Sequence, residues 1–443
     1  MPNSLLERRF ALTANGTTVR REVVGGLTTF LTMAYIIFVQ PAVLSAAGMD
    51  FGAVLTATCL ATAFATLLMA LLANYPIAVA PAMGHNFFFA YSVVLAMKVP
   101  WPVALGAVAI AGLVFIVTAG VGLRERLITA IPGSIKHAIA AGIGLLIAMI
   151  GLEWAGVIVA APGTLVTLGS LRSTPTLLAI GTLALTAALM ARGIRGAFLW
   201  GILASTAAGM PLGLVHFSGI AGAPPSLAPT LMRLDLRGAV APGMIAVVFV
   251  FFLLALFDSV GTLVGVGSQA GLMRDGTLPR AREALLADAL GTVAGAVLGT
   301  STVTAFIESG AGVAAGARTG LAAAVTAACF VLSLFLYPLV RAIGGGVVVG
   351  GSTLYPVIAA PLILVGTMMM GGLRHIEWDH PTESIPAFLT LVLMPLSASI
   401  TEGVAFGVVS SVALKVAAGR AREVQPLMFV FAVLFLLRYI FIR

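Results

Sequence analysis

Charge is scarce in this sequence. Only 9% of its 443 residues are Asp, Glu, Lys or Arg, too few to cover the surface of a water-soluble domain of this length. Cysteine is nearly absent: Cys59 and Cys329 both fall inside apolar runs, which argues against a disulfide framework and against a metal centre built on two thiols alone. The five histidines are scattered, so neither a zinc-ligand spacing nor a nucleophile with its base is legible, and no metal or catalytic residue is assigned. No phosphate-cradling loop is found either; the glycines of GAGVAAG (310–316) fit close helix packing better than dinucleotide binding.

What fills the chain is apolar: 60% hydrophobic residues and a mean hydropathy of +1.11. The apolar runs are long and continuous rather than short and alternating, which excludes a β-barrel and predicts an all-α polytopic membrane protein. At about 20 residues per crossing, the runs give roughly fourteen spans. The net charge of +8 reads as topology rather than as nucleic-acid affinity, because the basic residues crowd alternate loops. Arg8, Arg9, Arg20 and Arg21 precede the first span, and Arg124 with Arg126, Arg192 with Arg195, Arg274 with Arg280 and Arg282, Arg374, and Lys415 with Arg420 and Arg422 follow at every second turn. The positive-inside rule puts these loops and both termini in the cytoplasm of a cell with the protein in its inner membrane. The basic N-terminal stretch leads into a full-length span rather than a cleavable signal.

Two segments interrupt the helical pattern. In 300–318 (TSTVTAFIESGAGVAAGAR) a β-branched run ends at Glu308 and small residues begin, which predicts an extended stretch followed by a half-helix. In 75–91 (YPIAVAPAMGHNFFFAY) Pro76 and Pro81 forbid a regular helix and Gly84 lets the chain turn into one running to Met97. Ala34 and Gly84 are 50 residues apart, as are Asp258 and Glu308. The chain therefore reads as two copies of one pattern: four spans with the third broken, then three looser ones. Seven spans is an odd number, so the second copy enters the membrane inverted, and paired broken helices in inverted repeats point to a transporter site near the midplane. The looser trios are expected at about 134–152, 176–190 and 197–215, and at 354–371, 384–398 and 402–418. A Pro-rich stretch, 218–242, connects the halves outside the membrane, and 426–441 reads as an interfacial or re-entrant helix at the cytoplasmic face.

Of sixteen acidic residues, two lie well inside apolar segments, Asp258 and Glu308. A carboxylate at the bilayer centre costs about 2.5–3.5 kcal/mol on the insertion scale, so each needs a use or a partner. With no clear intramembrane Lys or Arg beside them, the functional reading is that Glu308 accepts hydrogen bonds from ring N–H groups of a neutral heterocycle while Asp258 holds or passes a proton; the bland reading is a structural carboxylate on backbone donors. Asn86 either reads an amide edge or caps its half-helix. Phe306 is the candidate to stack on a planar solute, His85 is either a satisfied interior histidine or a proton carrier, and Thr32 and Tyr35 are candidate pocket walls. Asp288, Glu153 and Glu402 read as interfacial or helix-end charges.

The motifs TTFLTMAYIIFVQP (28–41), PAMGHNFFFAY (81–91), LFDSVGTLVGV (256–266) and TAFIESGAGVAAGARTGL (304–321) resemble those of the Azg-like purine nucleobase permeases within the xanthine/uracil permease superfamily. The resemblance implies fourteen spans in two inverted seven-span repeats, with a core domain (25–123 and 243–340) moving against a gate domain (124–217 and 341–418). The remaining pieces are a cytoplasmic arm (1–24), the connector 218–242 and a C-terminal helix (419–443). It further implies elevator-type, proton-coupled uptake of adenine, guanine or hypoxanthine by a homodimer, with the proton as coupling ion and no cofactor. Glu308, Asn86, Phe306 and Asp258 are the implied substrate-side residues; the repeat spacing adds Thr32 to them, and Asp258, Glu308 and His85 are the proton-coupling candidates. Ala82 and His85 depart from the family pattern, where glycine and an apolar residue are common. Uracil, xanthine or urate stands as the alternative cargo.

Overall fold

Two short strands more than 200 residues apart in sequence pair with each other, and the helices are arranged around them. In the computed structural model, which describes residues 5–121, 132–273, 278–349 and 351–441, β1 (Val79–Pro81) runs antiparallel to a strand at Val303–Ala305, with Ala80 opposite Thr304. Arg124, Glu125, Arg126 and Arg274 lie outside the described residues.

In chain order, α1 (Val19–Ala46) tightens at Ala34 and Tyr35, whose carbonyls accept from residues three places on, α2 covers Phe51–Ala73, and β1 leads into α3 (Met83–Ala96) and α4 (Trp101–Val121). Then come α5 (Gly133–Trp154), a hairpin of β2 (Ile158–Ala161) and β3 (Leu165–Leu168), α6 (Thr174–Ala191) and α7 (Ala197–Gly209). The second half holds α8 (Ile245–Gln269), α9 (Ala281–Leu298), β4 (Val303–Ala305), α10 (Ser309–Ala314) and α11 (Gly320–Gly344). A second hairpin, β5 (Val347–Val349) with β6 (Ser352–Leu354), precedes α12 (Ala359–Met369), α13 (Pro381–Leu396), α14 (Ile400–Ala417) and α15 (Pro426–Phe441). Eight of the described helices are long and apolar enough to cross a membrane, and others are shorter apolar helices.

Both broken segments fall where the residues forbid a helix. Pro81 ends β1, where its missing N–H costs no ladder bond, and the next N–H, of Ala82, donates to Thr302 O at 3.0 Å. Each strand is also tied to a neighbouring helix by a buried threonine. Thr66 of α2 donates to Val79 O and accepts from Val79 N, both at 3.0 Å, and Thr292 of α9 donates to Val303 O at 2.7 Å. The small residues after Glu308 serve the close packing expected of them: a Cβ on Gly312 would sit 2.0 Å from Thr29 Oγ1 and 2.6 Å from Gly25 O, so α10 touches α1 backbone to backbone.

Helix ends are satisfied locally. Asp50 caps α2 through Ala53 N at 2.7 Å, and Ser173 and Ser399 cap α6 and α14. The N-terminus of α11 is held from elsewhere in the chain: fully buried Glu22, at the start of α1, accepts from the backbone N–H groups of Arg318 (2.8 Å), Thr319 (3.2 Å) and Ala322 (3.2 Å).

The helices pack in two groups. In one, α1, α2, α4, α8, α9, α10 and α11 surround the paired strands; in the other, α5 packs on α12 and α13, α13 on α14, and α6 on α7 and α12. The connector 218–242 straps the first group, with Met232 N bonding Val297 O (2.7 Å), Asp235 N bonding Pro102 O (2.8 Å) and Pro225 O receiving Thr56 Oγ1 (3.0 Å).

Three expectations need correcting. The chain is not purely helical outside the broken segments: Ile158–Leu168 turns through Pro162 and Gly163 (φ +94°) between β-branched residues, a hairpin composition, and Val347–Leu354 does the same around Gly351 (φ +87°). For that reason α12 begins at Ala359 rather than 354. Asp288 is not a helix-end charge, because α9 starts at Ala281 and places it about 10 Å into the helix at 1.5 Å per residue, where it is fully buried.

Candidate functional site

A cavity of about 540 Å³ lies where α3, α8 and the β4–α10 junction face α5 and α12, within the size range of small-molecule sites. Asp258 of α8 and Glu308 both line it, on the same side as His85. The opposite side is formed by Lys136, His137 and Ile143 of α5 and by Val365, Met368 and Met369 of α12. The cavity thus lies between the two packed groups of helices.

Each carboxylate is held by one hydroxyl. Tyr35, where α1 tightens, donates to Glu308 Oε1 at 2.7 Å, and Thr304 of β4 donates to Asp258 Oδ2 at 2.9 Å. Neither carboxylate forms an ion pair among the described residues. Each keeps acceptor capacity facing the cavity, since an ionised carboxylate offers about four lone-pair sites. Lys136 lines the same space, its ammonium 5.7 Å from the centre of the Phe257 ring. The sequence reading overlooked this lysine because it lies at the start of a span.

The other anticipated residues fall behind this wall. Thr32 donates to the carbonyls of Thr28 (3.0 Å) and Thr29 (2.8 Å) and reaches Glu308 O only at 3.4 Å. Asn86 is fully buried and does not cap its helix, whose N-cap is Ala82. Its carbonyl accepts from Ser301 Oγ, while Gln40 Nε2 donates to Thr300 Oγ1 (2.9 Å) and Ser301 Oγ (3.2 Å), so a polar chain crosslinks α1, the stretch before β4 and α3. Phe306 is 5% exposed and does not line the cavity, whereas Ile307 is 60% exposed and does. The physical reason is that β4 ends at Ala305: Phe306 still bonds through its N–H to Ala78 O and stays packed, and the chain then turns at Ile307 and Glu308, whose side chains both reach the cavity. The aromatic ring that lines the space is Phe257, next to Asp258.

His85 lines the cavity at 3% exposure, and among the described residues neither ring nitrogen has a hydrogen-bond partner. It is therefore not the satisfied interior histidine that the bland reading allows. Asp288 lies beside Ser259, Asp258 and the Ala305 backbone, yet neither carboxyl oxygen meets hydrogen-bond geometry with any described residue. The protein thus gathers three acids around the strand pair. The signal for the third was a single acid in the apolar run LLADAL (285–290), masked by the charged start of the same helix.

The arrangement suits a small planar solute that donates hydrogen bonds to two carboxylates and offers its faces to apolar side chains. The chain is 48% identical to a putative permease of Methanocaldococcus jannaschii over 99% of this chain and 98% of that protein. It is 45% identical to the adenine permease AdeP of Escherichia coli (99% and 96% covered) and 45% identical to the guanine/hypoxanthine permease PbuG of Bacillus subtilis (97% and 98% covered). Among solved structures, the transmembrane domain of the cyanobacterial bicarbonate transporter BicA has the same fold at TM-score 0.62 and 17% identity, covering 89% of this chain and 97% of that one. Murine Slc26a9, an anion transporter in the inward-facing state, aligns at TM-score 0.64 and 12% identity (90% and 68% covered). The xanthine/uracil permease profile, described as a permease family, matches residues 20–406, and this multi-pass membrane protein, a transporter and not an enzyme, belongs to that family.

Proposed function

We propose that the chain imports purine nucleobases (adenine, guanine or hypoxanthine) together with protons. The observation that carries this reading is the cavity itself, where Asp258 and Glu308, each held by one hydroxyl and neither paired with a cation, face an otherwise largely apolar space. The relatives named for adenine, guanine and hypoxanthine support the choice of cargo. In this reading Glu308, oriented by Tyr35, takes ring N–H groups of the base, and Asp258 carries the coupled proton, with Asp288 beside it as a further proton holder.

The packing in two groups supports reading the strand-bearing one as a core (25–123 and 243–340) and the α5–α7 and α12–α14 group as a gate (124–217 and 341–418), with an elevator-like displacement of one against the other carrying the cavity across. The two threonine-anchored strands, Thr66 with Val79 and Thr292 with Val303, support the reading as two inverted seven-span repeats. A homodimer in the inner membrane with cytoplasmic termini completes the proposal.

The test is uptake of radiolabelled adenine, guanine, hypoxanthine, uracil, xanthine and urate into cells lacking their own permeases, with and without a protonophore. Concentrative purine uptake that the protonophore abolishes, and that Glu308→Ala removes, is the expected outcome. Uptake of uracil, xanthine or urate in place of these purines overturns the cargo, and accumulation that survives collapse of the proton gradient overturns the coupling.

A further inference from the structure

The Glu308 carboxylate, an acceptor, satisfies only the donors of a purine. Every purine base also carries acceptors, namely unprotonated ring nitrogens and, in oxopurines, a 6-carbonyl. Enclosed in an apolar cavity without donors, these groups would each forfeit a hydrogen bond made in water. Donors on the cavity wall are few: Thr262 and His85 on the side of the carboxylates, Lys136 and His137 across from them. Thr262 and His85 are both almost fully buried.

His85 stands apart among these because its polar atoms are idle. Both Nδ1 and Nε2 are buried and lack a partner among the described residues, in a side chain that nonetheless borders the cavity beside Asp258 and Glu308. A neutral imidazole has one donor and one acceptor nitrogen, and leaving both unpaired away from water is costly. Its backbone is also fixed. A Cβ on the preceding Gly84 would sit 2.8 Å from Ile143 Cγ2, so α3 lies tightly against α5 at this point, and a turn about the side-chain torsions of His85 is what brings one of its buried ring nitrogens to the cavity.

From this geometry we propose that His85 reads the acceptor edge of the bound base: its ring N–H donates to a ring nitrogen or the 6-carbonyl while Glu308 receives the ring N–H groups. The assignment rests on the purine-transport reading above and gives His85 a specificity role that neither a proton relay nor a packing residue would have. A base that lacks the matching acceptor leaves the imidazole unpaired in the complex, and sites built in this way discriminate strongly against such analogues.

The experiment measures competition for uptake of labelled hypoxanthine and adenine by the unlabelled bases and by their 3-deaza and 7-deaza analogues, and by purine, which lacks the 6-oxo group. Wild type, His85→Ala, His85→Leu and His85→Gln are compared at equal amounts in the membrane; the leucine variant fills the same space without polar atoms and serves if alanine prevents membrane insertion. We expect wild type to discriminate against one analogue by about 10-fold or more. That ratio falls toward 1 in the alanine and leucine variants, is partly restored by glutamine, and is unaltered for the other analogues. Discrimination that is the same in wild type and His85→Leu for every analogue overturns the proposal and leaves purine transport standing. A wild-type protein that takes up no purine overturns both.

Discussion

Thr304 donates its hydroxyl to Asp258 at 2.9 Å, and four residues later the same backbone presents Glu308 to the cavity. One short stretch, a strand clamped to β1 and to Thr292 and the turn that follows it, therefore sets the positions of both acids. Displacing the strand would disturb substrate binding and proton holding together, whereas changing the charge of one acid should separate them.

Asp258→Asn makes that separation. The amide keeps the volume and an oxygen for Thr304, so base binding should change by no more than about 3-fold, within the worth of one ordinary hydrogen bond. Asparagine cannot carry a proton, so accumulation of base against its gradient should fall to about 1 while exchange of labelled for unlabelled base continues. Measuring both in proteoliposomes with an imposed pH gradient checks the point. Equal losses of binding and accumulation would assign Asp258 to the substrate rather than to the proton.

Tyr35→Phe removes the donor that orients Glu308. A hydrogen bond to a charged group is worth about 1.5–3 kcal/mol, but the vacated lone pair stays available to the base, so the lower end is expected, an increase in KM of about 10-fold. Vmax should fall less. An unaltered KM would mean that Glu308 is held well enough by its backbone alone.

The broken segments were legible because their causes are local: Pro76 and Pro81 in one, the β-branched run ending at Ile307 in the other. Asp258 and Glu308 stood out because an acid inside an apolar run is rare and costly. What was hidden depends on facing and on distant partners. Extended propensity does not say which of Phe306 and Ile307 turns to the cavity, and Asn86 is read correctly only once Ser301, 215 residues away, is seen against it. Asp288 and Lys136 escaped because both lie close to charged or polar helix starts, where such residues are ordinarily solvated. Glu22 escaped for the same reason, sitting in a basic arm while its three donors lie some 300 residues on.

Glu22 acts on stability rather than on transport. Its carboxylate takes three backbone N–H groups around the start of α11, those of Arg318 and Thr319 just before the helix and that of Ala322 in its first turn. Glu22→Ala leaves Ala322 N only Thr319 O, at 3.2 Å, and strands the other two in a buried site at about 1–3 kcal/mol, and Glu22→Gln, which keeps an acceptor, should cost less. The detergent-solubilised variants should melt in the order wild type, glutamine, alanine, with the KM of the alanine variant within about 2-fold of wild type. A wild-type melting temperature for Glu22→Ala would show that water replaces the cap.

Two hydrogen bonds join the packed groups at the far end of α3: Trp154 Nε1 to Tyr91 Oη at 2.9 Å, and Ser92 Oγ to Ala398 O at 2.7 Å. If the groups move past one another, both must break. Each is worth about 0.5–1.5 kcal/mol, so removing both should shift the equilibrium between the two conformations by about 5- to 150-fold in favour of the one in which they are absent. Ile307 reports the shift, since it is exposed in the cavity and is replaceable by cysteine in a Cys329→Ser background; the other cysteine, Cys59, is buried. The rate at which a membrane-impermeant maleimide added from outside the cell labels Ile307→Cys should change when Tyr91→Phe and Ser92→Ala are introduced together, and substrate should alter it as well. If that rate is the same with and without the double substitution, these bonds do not hold the groups together, and the barrier to movement lies elsewhere in the packing of α3 against α5.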